Sequence, residues 1–153
     1  MTTTDTDRHT TTEQVYQIVI KASPEQIWDA ITKPEFTRHY FHGARITVTQ
    51  DRYHSLGPDD SVWDDGAVLE WDPPHRVVHE WRSLYDEAAG AEPASRVSWE
   101  ITARANGTCL LTAVHDLLEQ SPRTAEAVSG AGWMGVLSAL KTLLETGEEL
   151  PLS

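Results

Sequence analysis

Cysteine and long apolar segments are both scarce in this 153-residue chain. Cys109 is the single cysteine, so neither an internal disulfide nor a cysteine-rich metal site can form within the chain. No apolar run approaches the ~20 residues that a membrane-spanning helix needs. The first twelve residues, MTTTDTDRHTTT, lack the apolar region of a secretory signal. These absences predict a cytoplasmic protein without a membrane partner.

Basic residues are also few, with 12 Lys and Arg against 24 Asp and Glu, and the formal net charge is −12. Such a surface repels phosphate backbones, so we expect no nucleic-acid partner. We interpret the negative net charge as a feature that keeps the protein soluble. The alternative is that it attracts a basic partner.

The amino-terminal half begins with a tail and then a strand. Residues 1–12 are Thr-rich and predict a disordered tail ahead of a single domain over residues 13–150. Residues 13–21 alternate as a strand does. In SPEQIWDAITKPEFTRHYF, Ser23 is a good N-cap, Pro24 suits the first helical position and Gln26 completes a capping box. Pro34 ends that helix, and a second short helix follows.

Strands follow over residues 44–50, 67–71 and 76–85, with turn signals at 57–60 and at Asp65-Gly66. The clearest hairpin spans residues 95–116, where Asn106-Gly107 matches a type I′ turn. A two-residue turn there would place Trp99 opposite Val114 and Ile101 opposite Thr112 on one face of the sheet.

From about Pro122 the apolar period becomes helical and continues to Gly147. Gly130 and Gly132 are expected to let the last helix begin close to the sheet. The element order predicts an α+β fold, in which a curved antiparallel sheet of about six or seven strands wraps around a long C-terminal helix. Two short helices after the first strand would close one end of that sheet.

Three segments carry a family resemblance: SPEQIWDAITKPEFTRHYF, GAVLEWDPPHRVVHEW and GWMGVLSALKTLLETG. They resemble the helix-grip fold of the START-like (SRPBCC) superfamily, and within it the C-terminal domain of the heat-shock-protein-90 ATPase activator. The similarity covers residues 13 to 148. It implies a cavity between the sheet and the long helix.

The candidate lining of that cavity is mostly aromatic and aliphatic. Large apolar surfaces with N–H or O–H groups suit a flat hydrophobic ligand, although a solid core is the alternative reading of the same residues. The predicted ligand-binding residues are Trp81, Tyr85, Trp99, Ile101, Thr112, Val114, Trp133, Leu137 and Leu140.

Other combinations of reactive residues carry less weight. His39 and His42 lack a third metal ligand, so no metal and no cofactor is predicted. His115 is expected with Ser98 or Glu100 on the solvent face of the hairpin. Asp64, Asp65 and Glu70 fit no calcium loop and are expected along a solvated acidic edge. Cys109 is expected to be a half-buried apolar residue.

Three functions remain open. The first is non-catalytic binding of a small hydrophobic or aromatic molecule in the cavity. The second is an enzyme, such as a cyclase, dehydratase or hydrolase acting on a polyketide-like or aromatic substrate, with His79 or Tyr85 as acid or base. The third is a chaperone-linked interaction module. The chain could be a monomer or a homodimer.

Overall fold

The computed structural model describes residues 13–151; the predicted tail, residues 1–12, lies outside the described residues. Its strands are β1 (Gln14–Ile20), β2 (Arg45–Val48), β3 (Arg52–Leu56), β4 (Val62–Asp72), β5 (Arg76–Trp81), β6 (Ser95–Ala103) and β7 (Cys109–Asp116). Its helices are α1 (Pro24–Thr32), α2 (Pro34–Thr37), α3 (Glu87–Gly90), α4 (Pro122–Val128) and α5 (Ala131–Thr146).

The seven strands form one antiparallel sheet in the order β1-β7-β6-β5-β4-β3-β2. Every neighbouring pair except β1 and β7 is consecutive in the chain, as short hairpin connections require. The C-terminal helix α5 packs its buried face into the main apolar cluster with the inner face of the sheet. The predicted α+β helix-grip architecture is confirmed.

The two short helices form as their sequence predicts. Ser23 Oγ accepts a hydrogen bond from Gln26 N at 3.1 Å, and Gln26 Oε1 accepts one from Ser23 N at 2.8 Å, which completes the capping box. Helix α1 ends at Thr32, directly before Lys33-Pro34. Trp28 packs edge-on against Trp71 of β4 at 5.1 Å between ring centroids, so α1 closes one end of the sheet.

The predicted register of the β6–β7 hairpin is wrong by one residue. Of Asn106 and Gly107, only Gly107 has a positive φ, +82°, whereas a type I′ turn needs both. Arg104 N donates to Thr108 O at 2.8 Å, and Gly107 in the left-handed region matches a type I turn followed by a bulge. Trp99 therefore lies opposite Ala113. Because side chains alternate between the two faces of a sheet, the shift exchanges the faces of the β7 side chains relative to Trp99.

The predicted turn at Asp65-Gly66 is also wrong, since β4 runs straight through both residues. Gly66 lies in the strand because Glu80 of β5 packs over it, and a Cβ at Gly66 would lie 3.0 Å from Glu80 Cβ. Glu80 Oε1 then accepts a hydrogen bond from Ala67 N at 3.0 Å. The glycine marks a close side-chain approach to a strand.

The C-terminal helical segment is broken at Ser129-Gly130 into α4 and α5, which meet at 45°. We call this break the elbow. Gly132 allows α5 to approach α4 rather than the sheet, because a Cβ there would lie 3.1 Å from Ala127 O. Taken singly, no helix within residues 13–151 is long and apolar enough to cross a membrane, although α4 and α5 pass that test when counted together.

The elbow depends on the backbone conformation of Gly130, φ 55° and ψ −112°, which residues with a Cβ rarely adopt. A Cβ at Gly130 would meet no atom within 4 Å, so the cost of a substitution is conformational. Gly130→Ala should lower the free energy of unfolding by about 1–3 kcal/mol in urea titrations.

Ser129→Ala is the matched control at the neighbouring position. Ser129 has an ordinary extended backbone and an exposed hydroxyl that donates to Glu126 O. Its replacement should change stability by less than about 0.5 kcal/mol. Equal effects of the two changes would show that the elbow carries no backbone strain.

Candidate functional site

A cavity of about 320 Å³ lies between strands β3 to β5 and the elbow. Strands β3 to β5 contribute one wall, and α4 and α5 form the opposite wall, whose residues are small or aliphatic apart from Trp133. The segment that follows α2 closes one side of the cavity with Phe41, His42 and Ala44. Six aromatic side chains line the cavity: Phe41, Tyr53, Trp63, Trp81, Tyr85 and Trp133.

The structure divides the nine predicted site residues into three groups. Trp81, Tyr85 and Trp133 line the cavity. Four others are buried in the apolar cluster outside that lining: Trp99, Ile101, Leu137 and Leu140.

Thr112 and Val114 form the third group, and they are a correction to the sequence interpretation. The register shift places them opposite Glu100 and Ser98, on the face of the sheet that points away from Trp99. Both are half-buried, and neither lines the cavity. The reason is the bulged turn, which adds a residue to the hairpin connection.

The same shift carries His115 inward. It was expected on the solvent face, yet it is 1% exposed, on the same face as Trp99. His115 lies beside Trp133 and Trp81, at 5.9 and 5.4 Å between ring centroids. His79 is likewise fully buried and stacks on Tyr53 at 3.8 Å, with 6° between the ring planes.

Each buried histidine accepts a hydrogen bond from a tryptophan. Trp99 Nε1–H donates to His79 Nε2 at 3.1 Å, and Trp133 Nε1–H donates to His115 Nδ1 at 3.2 Å. An indole nitrogen can only donate, so those imidazole nitrogens carry lone pairs. The other nitrogens donate: His79 Nδ1 to Glu80 O at 2.9 Å, and His115 Nε2 to Ser95 Oγ at 2.7 Å.

Burial fixes the protonation state of this pair. Desolvation lowers the pKa of His79 to about 4 and that of His115 to about 3, with the neighbouring His79 also lowering the latter. Both rings are therefore neutral at pH 7. Since both nitrogens of His79 are already engaged, its imidazole has no free position for acid–base work.

Asp64 is the functional candidate that the sequence interpretation missed. It lies opposite Ser55 on the inner face and is 3% exposed. Asp64 Oδ1 accepts a hydrogen bond from Arg82 N at 3.0 Å, whereas Oδ2 is buried without a partner among the described residues. Desolvation raises the pKa of Asp64 to about 8, against smaller lowering effects led by the hydrogen bond from Arg82 N.

The sequence did hold a signal for Asp64. If β4 is continuous, Asp64 shares its face with Gly66 and Val68, and Asp65 points outward. The structure shows this alternation, with Asp65 exposed and bound by Arg52 Nε at 2.7 Å. The mistaken turn at Asp65-Gly66 hid the alternation and led to the expectation of a solvated acidic edge.

Fold and cavity together define a START-like protein of the helix-grip type. A family model described as "Activator of Hsp90 ATPase homolog 1-like protein" matches residues 21–145. The chain belongs to this family. No curated protein sequence matches the chain closely enough to count as a relative.

Solved structures share the fold at low sequence identity. Protein MLL2253 from Mesorhizobium loti is 21% identical, with a TM-score of 0.69, over 87% of this chain and 96% of that one. The Aha1 dimer from Colwellia psychrerythraea is 19% identical, with a TM-score of 0.66, over 88% and 97%. DynU16, a protein of the dynemicin biosynthetic locus, is 20% identical, with a TM-score of 0.68, over 90% and 48%.

Proposed function

We propose that this protein binds a small hydrophobic or aromatic molecule in the cavity between the sheet and the C-terminal helices. The observation that carries the proposal is a cavity of about 320 Å³ walled by six aromatic side chains. Pockets that bury small molecules have this size and this apolar lining with few polar groups. The cytoplasmic location and the choice between monomer and homodimer that the sequence predicts remain part of this proposal.

The aromatic wall supports a flat ligand in particular. Trp81 and Trp133 lie 5.8 Å apart between ring centroids, and Phe41 lies 6.1 and 6.2 Å from them. Their rings present a contiguous apolar surface against which a planar molecule can stack. DynU16 comes from a biosynthetic locus, which agrees with a ligand of natural-product type.

The first experiment is native mass spectrometry of freshly purified protein, followed by organic extraction and identification of any compound that co-purifies. A bound apolar molecule would support the proposal and reveal its chemistry. Protein that is empty and also fails to bind neutral hydrophobic dyes would contradict it.

Val136→Phe should block the cavity, because Val136 of α5 is buried and lines it. The phenyl ring would extend into empty space. We therefore expect at least a tenfold loss of affinity for the neutral dye N-phenyl-1-naphthylamine, measured by the fluorescence of the bound dye. The free energy of unfolding should change by less than about 1 kcal/mol, whereas overpacking a filled core costs about 1–3 kcal/mol.

Met134→Phe provides the control on the same helix. Met134 is 53% exposed, so a phenyl ring there leaves the cavity unchanged. Dye affinity should match that of the wild-type chain. If Val136→Phe also binds the dye normally, the dye occupies another place and the cavity assignment is wrong.

An enzymatic role in the same cavity is the second candidate, and Asp64 is the observation that favours it. A carboxyl group with a pKa of about 8 is protonated at neutral pH, as a general acid must be. Conversion of a co-purified polyketide-like compound on incubation, slowed in Asp64→Asn, would support this role.

A further inference from the structure

We propose that the cavity is selective for small aromatic molecules that carry a protonated amine, with the Asp64 carboxylate as counter-ion. The inference rests on the proposed function, because it assigns a chemical class to the ligand of the same cavity.

The first argument is the unpartnered oxygen of Asp64. Its carboxyl group is buried in the cavity lining, and Oδ2 has no hydrogen-bond partner among the described residues. A buried acceptor without a donor costs free energy. A ligand ammonium group would donate to Oδ2 and neutralise the carboxylate in one contact, forming a charge-assisted hydrogen bond.

The lining of the cavity places no lysine or arginine beside Asp64. The elbow side of the lining carries no charged group. Arg82 approaches Asp64 through its backbone N–H, while its side chain is exposed. The net charge of −12 also favours the approach of a cation over that of an anion.

The aromatic wall supports the same class of ligand. Cations are attracted to the faces of Trp, Tyr and Phe within about 6 Å of a ring centroid, and the attraction increases when the site excludes water. The cavity contains three tryptophans, two tyrosines and one phenylalanine together with one unpaired carboxyl oxygen. An aromatic amine would therefore meet both stacking surfaces and a counter-ion.

This arrangement links binding to pH. In the free protein, burial raises the pKa of Asp64 to about 8, so the carboxyl group is protonated at neutral pH. Binding of an ammonium ion requires the ionised form, and one proton passes to the buffer. The apparent affinity for the amine equals the affinity of the ionised form multiplied by the fraction of protein in which Asp64 is ionised. It should therefore rise about tenfold per pH unit between pH 5.5 and 7.5.

Other titratable groups near Asp64 act on its pKa with smaller effects. The charge of Asp65 raises that pKa and the charge of Arg82 lowers it. The lining also contains three other titratable groups: Tyr53 of β3, and Tyr85 and His42 of connecting segments. A variant at Asp64 itself is therefore needed to assign the pH dependence.

The test compares two probes of nearly equal shape, 1-naphthylmethylamine and 1-naphthylmethanol. The amine remains protonated across the range studied, and the alcohol is neutral. Isothermal titration at pH 7.5 should give at least tenfold tighter binding for the amine. Titration at pH 6.5 in two buffers of different ionisation enthalpy should show release of about one proton per bound amine and none for the alcohol.

Asp64→Asn should abolish the preference for the amine and the release of protons. Asp65→Asn is the matched control, because Asp65 is the adjacent residue but is exposed and paired with Arg52. It should keep both properties.

The outcomes separate the two proposals. Equal binding of both probes by the wild-type chain, without proton release, would overturn the amine selectivity and leave a hydrophobic binding site. Binding of neither probe, together with no binding of N-phenyl-1-naphthylamine, would overturn the proposed function and the selectivity with it. A preference for the amine that persists in Asp64→Asn would overturn the role of Asp64.

Discussion

Between pH 4 and pH 7, the stability of Asp64→Asn relative to the wild-type chain should rise by about 4 kcal/mol. The pKa of Asp64 is about 8 in the folded state, against an ordinary value of 3.8 for an aspartate in the unfolded chain. Above pH 3.8 the unfolded chain releases a proton that the folded chain retains, so the wild-type chain loses stability as the pH rises toward 8. Each pH unit accounts for about 1.4 kcal/mol. Asparagine removes this dependence and keeps an acceptor for Arg82 N.

Urea unfolding at a series of pH values measures this difference. Asp65→Asn should not reproduce it, because the Arg52 hydrogen bonds lower the pKa of Asp65 and the side chain is exposed. A constant difference between Asp64→Asn and the wild-type chain across this pH range would mean that Asp64 ionises normally. In that case the free protein would not hold a protonated carboxyl group in the cavity.

A residue that lowers stability in this way is typical of a functional site. Native chains are only marginally stable, and groups kept at a cost to stability are concentrated where binding or catalysis needs them. The buried unpaired oxygen of Asp64 has this character. The neighbouring residue in β4, Asp65, forms an ordinary surface ion pair with Arg52 instead.

The architecture could be predicted because its signals are local. The capping box of Ser23 and Gln26, the break at Pro34 and the helical apolar stripe from Trp133 onward depend on neighbours within a few residues. The short helix α3 was not predicted, although Asp86 caps it by accepting a hydrogen bond from Ala89 N at 2.8 Å. Four residues give too short a period to recognise.

The site could be predicted only in part, because it depends on register and on contacts between distant segments. One bulged turn at Gly107 decided whether His115 or Val114 faces the core. Gly66 was interpreted as a turn residue, since nothing in the neighbouring sequence indicates that Glu80 packs over it. The elbow at Gly130 likewise moves the cavity away from Leu137 and Leu140 toward Trp133 and Val136.

The largest loss of stability is expected on the acid side, and it comes from His79 and His115. Their pKa values are about 4 and about 3 in the folded state, against an ordinary value of 6.5 for a histidine in the unfolded chain. Below pH 6.5 the unfolded chain takes up protons that the folded chain cannot accept, so stability is present above pH 6.5 and is lost as the pH falls. From pH 7 to pH 4 the pair should lower the free energy of unfolding by about 6 kcal/mol.

In the wild-type chain Asp64 opposes this loss. As the pH falls from 7 to 4, the unfolded chain takes up the proton that folded Asp64 already holds, so the free-energy cost of keeping Asp64 protonated in the folded state disappears. The two effects together place the maximum of stability near pH 6.5. The Asp64→Asn variant isolates the effect of the two histidines. In that variant the free energy of unfolding should change with pH below pH 6 by up to about 2.7 kcal/mol per pH unit, for two groups. His115→Gln in that background should halve the slope, because an amide can still accept from Trp133 and donate to Ser95 without titrating.

His39→Gln supplies the comparison at the surface, where the imidazole pairs with Glu149 at 2.6 Å and is partly exposed. It should leave the slope between pH 6 and pH 4 close to that of the parent chain. If His115→Gln leaves the slope unchanged as well, His115 takes up a proton in the folded state. The hydrogen bond from Trp133 Nε1 would then have to break in the folded protein, because a doubly protonated imidazole has no lone pair to accept it. Because Trp133 also lines the cavity, that outcome would make the cavity wall itself sensitive to pH.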